Sequence, residues 1–137
     1  MNYLLDTNAV LALLRNKPVA VRERYRQAEK AGGDYLAVSS IVLFELWYGV
    51  EKSGRVQENT ERLRVLLSGD LDLLDFDDED AQAAGQIRAV LEKIGTPIGA
   101  YDLLIAGQAL RRGLTVVTAN TSEFSRVTGL RWEDWTT

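Results

Sequence analysis

Short apolar runs alternate with longer helical segments along this 137-residue chain, and that alternation constrains its fold more than any other feature. The runs are NYLLD (residues 2–6), DYLAVS (34–39), LDLLDF (71–76) and LTVVTAN (114–120). Each has the length and apolar content of a short strand. Between them the apolar spacing turns helical. TNAVLALLR reads as a helix with Thr7 or Asn8 near its cap, and PVAVRERYRQAEKAG as a second with Pro18 in its first turn. SSIVLFELWYGVEKSG reads as a helix capped by Ser39 or Ser40 and ended by Gly54, and a more polar helix covers 56–67. DDEDAQAAGQIRAVLEKIG and GAYDLLIAGQALRRG are two more, the first with acids at its start as the macrodipole favours. A helical turn at SEF (122–124) and a last strand near 130–132 finish the chain. Strands joined through helices need parallel crossovers. The expectation is therefore one domain over residues 1–137, a three-layer α/β/α sandwich around a mainly parallel sheet of four to five strands.

Such a sheet binds ligands beyond the carboxyl ends of its strands. Asp6 ends the first run, Ser39 and Ser40 with Glu45 follow the second, and Asn120 follows the fourth. Polar groups thus reach one rim from three strand ends. Asp6, Glu45 and Asp102 all sit in apolar surroundings. On a helix the neighbours of Glu45 are Ile41, Val42, Tyr48 and Gly49, and those of Asp102 are Ile98, Gly99, Ile105 and Ala106. None is a cation, and a buried unpaired carboxylate costs several kcal/mol.

The chain has no His and no Cys, which removes zinc sites built on them, Ser–His triads and Cys nucleophiles. Carboxylates gathered without a counter-ion raise one another's pKa unless a cation joins them. Oxygen-only donors suit Mg²⁺, with Mn²⁺ as the alternative. Each acid also has a plainer role open to it: Asp6 as a helix N-cap, Glu45 as a solvent-facing residue, Asp102 as a dipole partner, Glu123 as a loop carboxylate. The acids at 77–80 read as structural, and Arg22, Arg24 and Arg26 as a solvated face.

The segments LLDTNAV, SSIVLFELWYGVEKS, YDLLIAGQAL and TVVTANTSEFSRV occur in order over nearly the whole chain. Together they resemble the PIN-domain ribonucleases of the VapC toxin family. The tail TVVTANTSEFSRVTGLRWEDW is most similar to the group that cuts initiator tRNA, tRNA(fMet), in its anticodon loop. The resemblance implies a metal-dependent endoribonuclease, the toxin of a type II toxin–antitoxin pair. It puts the metal on Asp6, Glu45 and Asp102. A fourth position falls in TANTSEF, where Asn120 stands at a place many PIN domains fill with Asp, and Glu123 supplies a further catalytic charge. Thr7, Ser39 and Ser40 are candidates to orient the carboxylates. RNA must be held by local cations, because the net charge is -4; Arg15, Lys17, Arg111, Arg112 and Arg126 are the candidates.

The resemblance also implies a VapB-type antitoxin, a toxin homodimer and a hetero-oligomer of the two. Leu11, Leu14, Leu46, Trp47 and Tyr48 are candidates for the antitoxin groove. No apolar run approaches the roughly 20 residues that span a bilayer, and MNYLLDTN lacks a basic start, so a cytoplasmic protein without membrane contact is expected. A nuclease for another RNA or for DNA, or a PIN fold used only for binding, are the rival functions. A receiver module would need an acidic pair after the first strand, and a haloacid dehalogenase-type phosphatase would need an acid where Asn8 stands.

Overall fold

The structure is a computed structural model and describes residues 1–30 and 32–137. Five strands form one sheet: β1 (Asn2–Leu5), β2 (Tyr35–Ser39), β3 (Asp72–Leu74), β4 (Thr115–Val117) and β5 (Trp132–Glu133). Their order is β3-β2-β1-β4-β5, and all four pairings are parallel. The helices are α1 (Thr7–Arg15), α2 (Val19–Lys30), α3 (Ser40–Lys52), α4 (Val56–Leu67), α5 (Asp78–Lys93), α6 (Ala100–Arg112) and α7 (Thr121–Phe124). The α/β architecture expected from the alternation is the one that forms, with the upper of the two strand counts.

β1 lies in the middle of the sheet, and Tyr3, Leu4 and Leu5 are buried. A central parallel strand is covered on both faces, so it reads as a continuous apolar run. The chain moves outward from β1 through β2 to β3, then crosses back to β4 and moves the other way to β5. Right-handed crossovers therefore put α1 to α4 on one face and α5 to α7 on the other. The reversal falls between β1 and β4, whose register pairs Leu5 with Val117. A crevice opens beyond the carboxyl ends of strands at such a switch point. Asp6 leaves β1 there, and Thr118 to Asn120 leave β4 there.

Several boundaries differ from the sequence reading. The cap of α1 is Asp6, not Thr7 or Asn8: its backbone is extended and its Oδ1 accepts from Ala9 N–H at 2.9 Å. Pro18 precedes α2 by one residue. Ala31, expected near the end of that helix, lies outside the described residues. Ser39 caps α3, which ends at Lys52 with Ser53 rather than Gly54 as its cap. α5 and α6 pack against each other at a point where a Cβ on Gly107 would lie 2.7 Å from the Ala84 backbone. Only glycine permits that approach, and the approach sets the height of α6, the helix that carries Asp102.

Of the α2 arginines expected on a solvated face, Arg26 is exposed, whereas Arg22 and Arg24 are partly buried and bonded. Arg24 donates to the Tyr3 hydroxyl at 2.9 Å and lies over the rings of Tyr3 and Trp135. Arg22 donates to the Leu13 carbonyl at 2.5 Å. The planar guanidinium does here what a solvated charge does not, tying the C-terminal segment and α1 to α2.

Candidate active site

Three elements bring carboxylates to the switch point. β1 delivers Asp6, which is 3% exposed, while α3 and α6 deliver the half-buried Glu45 and Asp102. Burial pushes the Asp6 carboxyl up to about 6; the Thr118 hydroxyl and the Ala9 N–H pull it back, and Asp102 and Glu45 push it further. Asp102 is raised by burial, lowered by the Asn120 side chain, and raised again by Glu123 and Glu45. The four acids thus feel one another. No Lys or Arg forms a salt bridge to any of them among the described residues.

Neutral donors hold the carboxylates in position. Thr7 Oγ1 donates to Glu45 Oε1 at 2.6 Å, joining the start of α1 to α3. Asn120 Nδ2 donates to Asp102 Oδ2 at 2.6 Å, and Gly99 N–H donates to Glu123 Oε1 at 2.6 Å. Asn120 N–H in turn donates to Thr118 Oγ1 at 2.8 Å. Asn120 is therefore a neutral partner of Asp102, and Glu123 is the fourth charge beside it.

The chemistry of this donor set fits a divalent cation: oxygen atoms alone, several of them anionic, with desolvation and mutual repulsion unrelieved by any basic side chain. Among the described residues the acids do not form a ready-made group of three or more that could hold a metal ion. Each of these carboxylates accepts from a neutral donor of its own.

The other candidates separate into those near the rim and those elsewhere. Ser39 Oγ accepts from Ile41 N–H at 3.1 Å, and Ser40 Oγ accepts from Phe76 N–H at 3.0 Å. Both anchor the start of α3 by accepting from backbone N–H groups, and neither is hydrogen-bonded to a site carboxylate among the described residues. Arg111 and Arg112 sit at the far end of α6 from Asp102. They are spent on Asp77 and Asp80, with Arg111 Nε to Asp80 Oδ1 and Arg112 Nη2 to Asp80 Oδ2 both at 2.8 Å. The fold therefore sets these two guanidiniums against acids at the start of α5, away from the carboxylate rim. Arg126 donates to the Pro97 carbonyl at 2.8 Å. Arg15 and Lys17 are exposed at the end of α1 and carry no salt bridge among the described residues.

A groove of about 280 Å³ runs from Thr7 and Glu45 along α1, α3 and α4. Leu11, Leu14 and Leu46 line it with Leu63, and Arg15 and Arg62 stand on its edge. Trp47 and Tyr48 are not on its walls: Trp47 lies under Arg64, and Tyr48 is exposed beside Lys52. Thr118, which the sequence suggests as a turn former, stands beside Asp6, and its hydroxyl lowers the pKa of that carboxyl. As one more threonine in a turn after a strand, it carried no local signal of that contact.

Comparison with known proteins agrees with this geometry. A model of the PIN domain matches residues 3–130. The chain is 44% identical over 135 residues to the tRNA(fMet)-specific endonuclease VapC of Shigella flexneri, covering 98% of both chains. It is 39% identical to Ribonuclease VapC2 of Haemophilus influenzae over the same length. Among solved structures, VapBC2 from Rickettsia felis bound to a promoter DNA fragment superposes with a TM-score of 0.90 at 37% identity, covering 98% of this chain and 99% of that one. DNA-bound VapBC from Salmonella typhimurium gives 0.87 at 44% identity, covering 98% of each chain.

Proposed function

The chain belongs to the PIN-domain family, and from that premise we propose that it is the toxin of a VapBC-type toxin–antitoxin pair, a metal-dependent endoribonuclease. The observation that carries this reading is the convergence of Asp6, Glu45 and Asp102, without a basic partner, at the switch point between β1 and β4. Residues 1–137 act as one domain. The substrate is initiator tRNA, in line with the name of the tRNA(fMet)-specific endonuclease VapC of Shigella flexneri, and the cut falls in the anticodon loop.

Asp6, Glu45 and Asp102 hold the metal, Mg²⁺ with Mn²⁺ as the alternative, since hard oxygen donors suit both. When bound, such an ion lowers the pKa of an attacking water and offsets charge at the phosphate. Thr7 orients Glu45, and Asn120 orients Asp102. Glu123, beside Asp102 and without a basic partner, is placed to accept a proton from the water that attacks. Water attack leaves 5′-phosphate and 3′-hydroxyl ends.

The apolar groove that opens at Glu45 suits an apolar segment of a VapB-type antitoxin, held by Leu11, Leu14 and Leu46. Exposed Phe44, Tyr48 and Tyr101, with the rings of Phe44 and Tyr101 5.9 Å apart, support a homodimer contact beside the site. No helix among the described residues is long and apolar enough to cross a membrane, and the reading places the protein in the cytoplasm.

The test is digestion of total bacterial tRNA by antitoxin-free protein, with Mg²⁺, with EDTA and with Asp6→Asn, followed by sequencing of the new ends. Discrete anticodon-loop cuts that vanish in both controls support the reading. Ends carrying a 2′,3′-cyclic phosphate would exclude water as the nucleophile and sink the mechanism.

A further inference from the structure

A second recess, of about 260 Å³, opens beside α1 and shares Leu11 and Arg15 with the apolar groove. We propose that it is a subsite for one unpaired base of the RNA, next to the phosphate that is cut. The inference rests on the ribonuclease reading above and adds where sequence preference arises.

Three observations point to this occupant. The first is position. Thr118, the hydroxyl beside Asp6, is on the wall of the recess, so a nucleotide seated there adjoins the carboxylates. The second is the division of charge. Arg15 and Lys17 line the recess, are exposed, and carry no salt bridge among the described residues. Deeper in, the walls are small and apolar (Ala12, Val21, Val117), and the single acid is Asp134. A phosphate is favoured beside the two cations and disfavoured beside Asp134, so the flat, uncharged base is the part that enters. The third is base-edge chemistry. Asn8 is exposed on the wall with both a donor and an acceptor, and its side chain makes no hydrogen bond among the described residues. Asp134 Oδ1 already accepts from Thr136 N–H at 2.9 Å and Thr136 Oγ1 at 2.6 Å, which holds that wall in place. Amide and carboxylate groups are the side chains that read base edges. Single-stranded RNA is recognised through splayed-out bases, and the recess is smaller than the roughly 300–1,000 Å³ of a typical ligand pocket, which suits one base rather than several.

The experiment cuts initiator tRNA randomised across its anticodon loop with the protein and Mg²⁺, then sequences both ends to obtain the base preference at each position around the cut. It is run on the wild type, Asn8→Ala, Thr136→Trp and Lys17→Gln, with melting temperatures as a folding control. The wild type is expected to prefer particular bases at one position beside the cut. Asn8→Ala and Thr136→Trp, which remove the edge contact and fill the mouth, should flatten that preference by about fivefold or more, raising KM on the preferred sequence more than they lower kcat. Lys17→Gln should weaken all sequences alike and lower the slope of log affinity against log salt by about 0.7. If wild-type cutting keeps the same base preference in the two recess variants while they remain folded, the subsite is overturned and the nuclease reading stands. If Thr136→Trp does not fold, Asn8→Ala on the exposed face of α1 decides. A wild type that cuts no RNA overturns both.

Discussion

Asp6 and Asp80 are both carboxylates with almost no exposure, 3% and 0%, and the fold treats them in opposite ways. Around Asp6 the other charges are Glu45, Asp102 and, beyond it, Glu123, and burial holds its pKa at about 6. Around Asp80, burial also pushes upward, but hydrogen bonds from Arg112, the Asp77 N–H and Arg111 outweigh it and hold the carboxyl well below the ordinary range. Asp80 further closes a capping box with Asp77 at the start of α5. One buried acid is fully partnered by arginines and serves the fold; the other has no basic partner among the described residues, which is the setting the proposed metal site requires. Burial does not distinguish the two roles, whereas the sign of the neighbouring charge does.

The comparison breaks most directly at Asp6. Asp6→Asn retains a good cap for α1 but removes one anion from the cluster. Activity on RNA should fall by about 10²–10⁴-fold, while stability at neutral pH rises by about 1–3 kcal/mol, measured by urea unfolding. A variant that loses activity and stability together would show Asp6 to be merely structural. Asp80→Ala should do the reverse. Removing the buried partner of two arginines costs about 3–5 kcal/mol, yet the folded fraction should retain its cleavage rate.

Metal addition sharpens the contrast. Mg²⁺ at 100 times its Kd should stabilise the wild type by about 2.7 kcal/mol and leave Asp6→Asn nearly unmoved, read as a melting-temperature shift. Asn120→Asp replaces the neutral partner of Asp102 with a charge. It should lower stability by about 1 kcal/mol in EDTA and enlarge the Mg²⁺ shift.

The smallest effect is the pH dependence. The folded pKa of Asp6 lies above its ordinary 3.8, so its contribution to stability is full below about 3.8 and is lost as pH rises through about 6. The folded pKa of Asp80 lies below 3.8, so its contribution is present above that value and is lost as pH falls. Unfolding curves in EDTA should therefore show a gain on going from pH 7 to pH 4.5 that Asp6→Asn abolishes. They should also show a loss below pH 4 that Asp80→Ala abolishes. The opposite pairing of variant and pH window would invert the assignment.

Strand and helix identity followed from the chain alone, because NYLL and YLAVS are apolar in the manner of strands buried on both faces, and each helix carries its own cap or stop signal. The sequence also marked Asp6, Glu45 and Asp102, since a carboxylate among apolar neighbours is conspicuous without any coordinates. It could not distribute the cations. Arg111 and Arg112 stand nine and ten residues after Asp102 in the chain, but α6 carries them away from the rim to Asp77 and Asp80. Nor could it give Thr118 its place beside Asp6, or bring Asn120 to Asp102, 18 residues away in sequence. Periodicity and capping are local properties, legible in a window of a few residues. Which charge meets which depends on strand order and on the approach that Gly107 allows between α5 and α6, and that is decided only when the chain closes on itself.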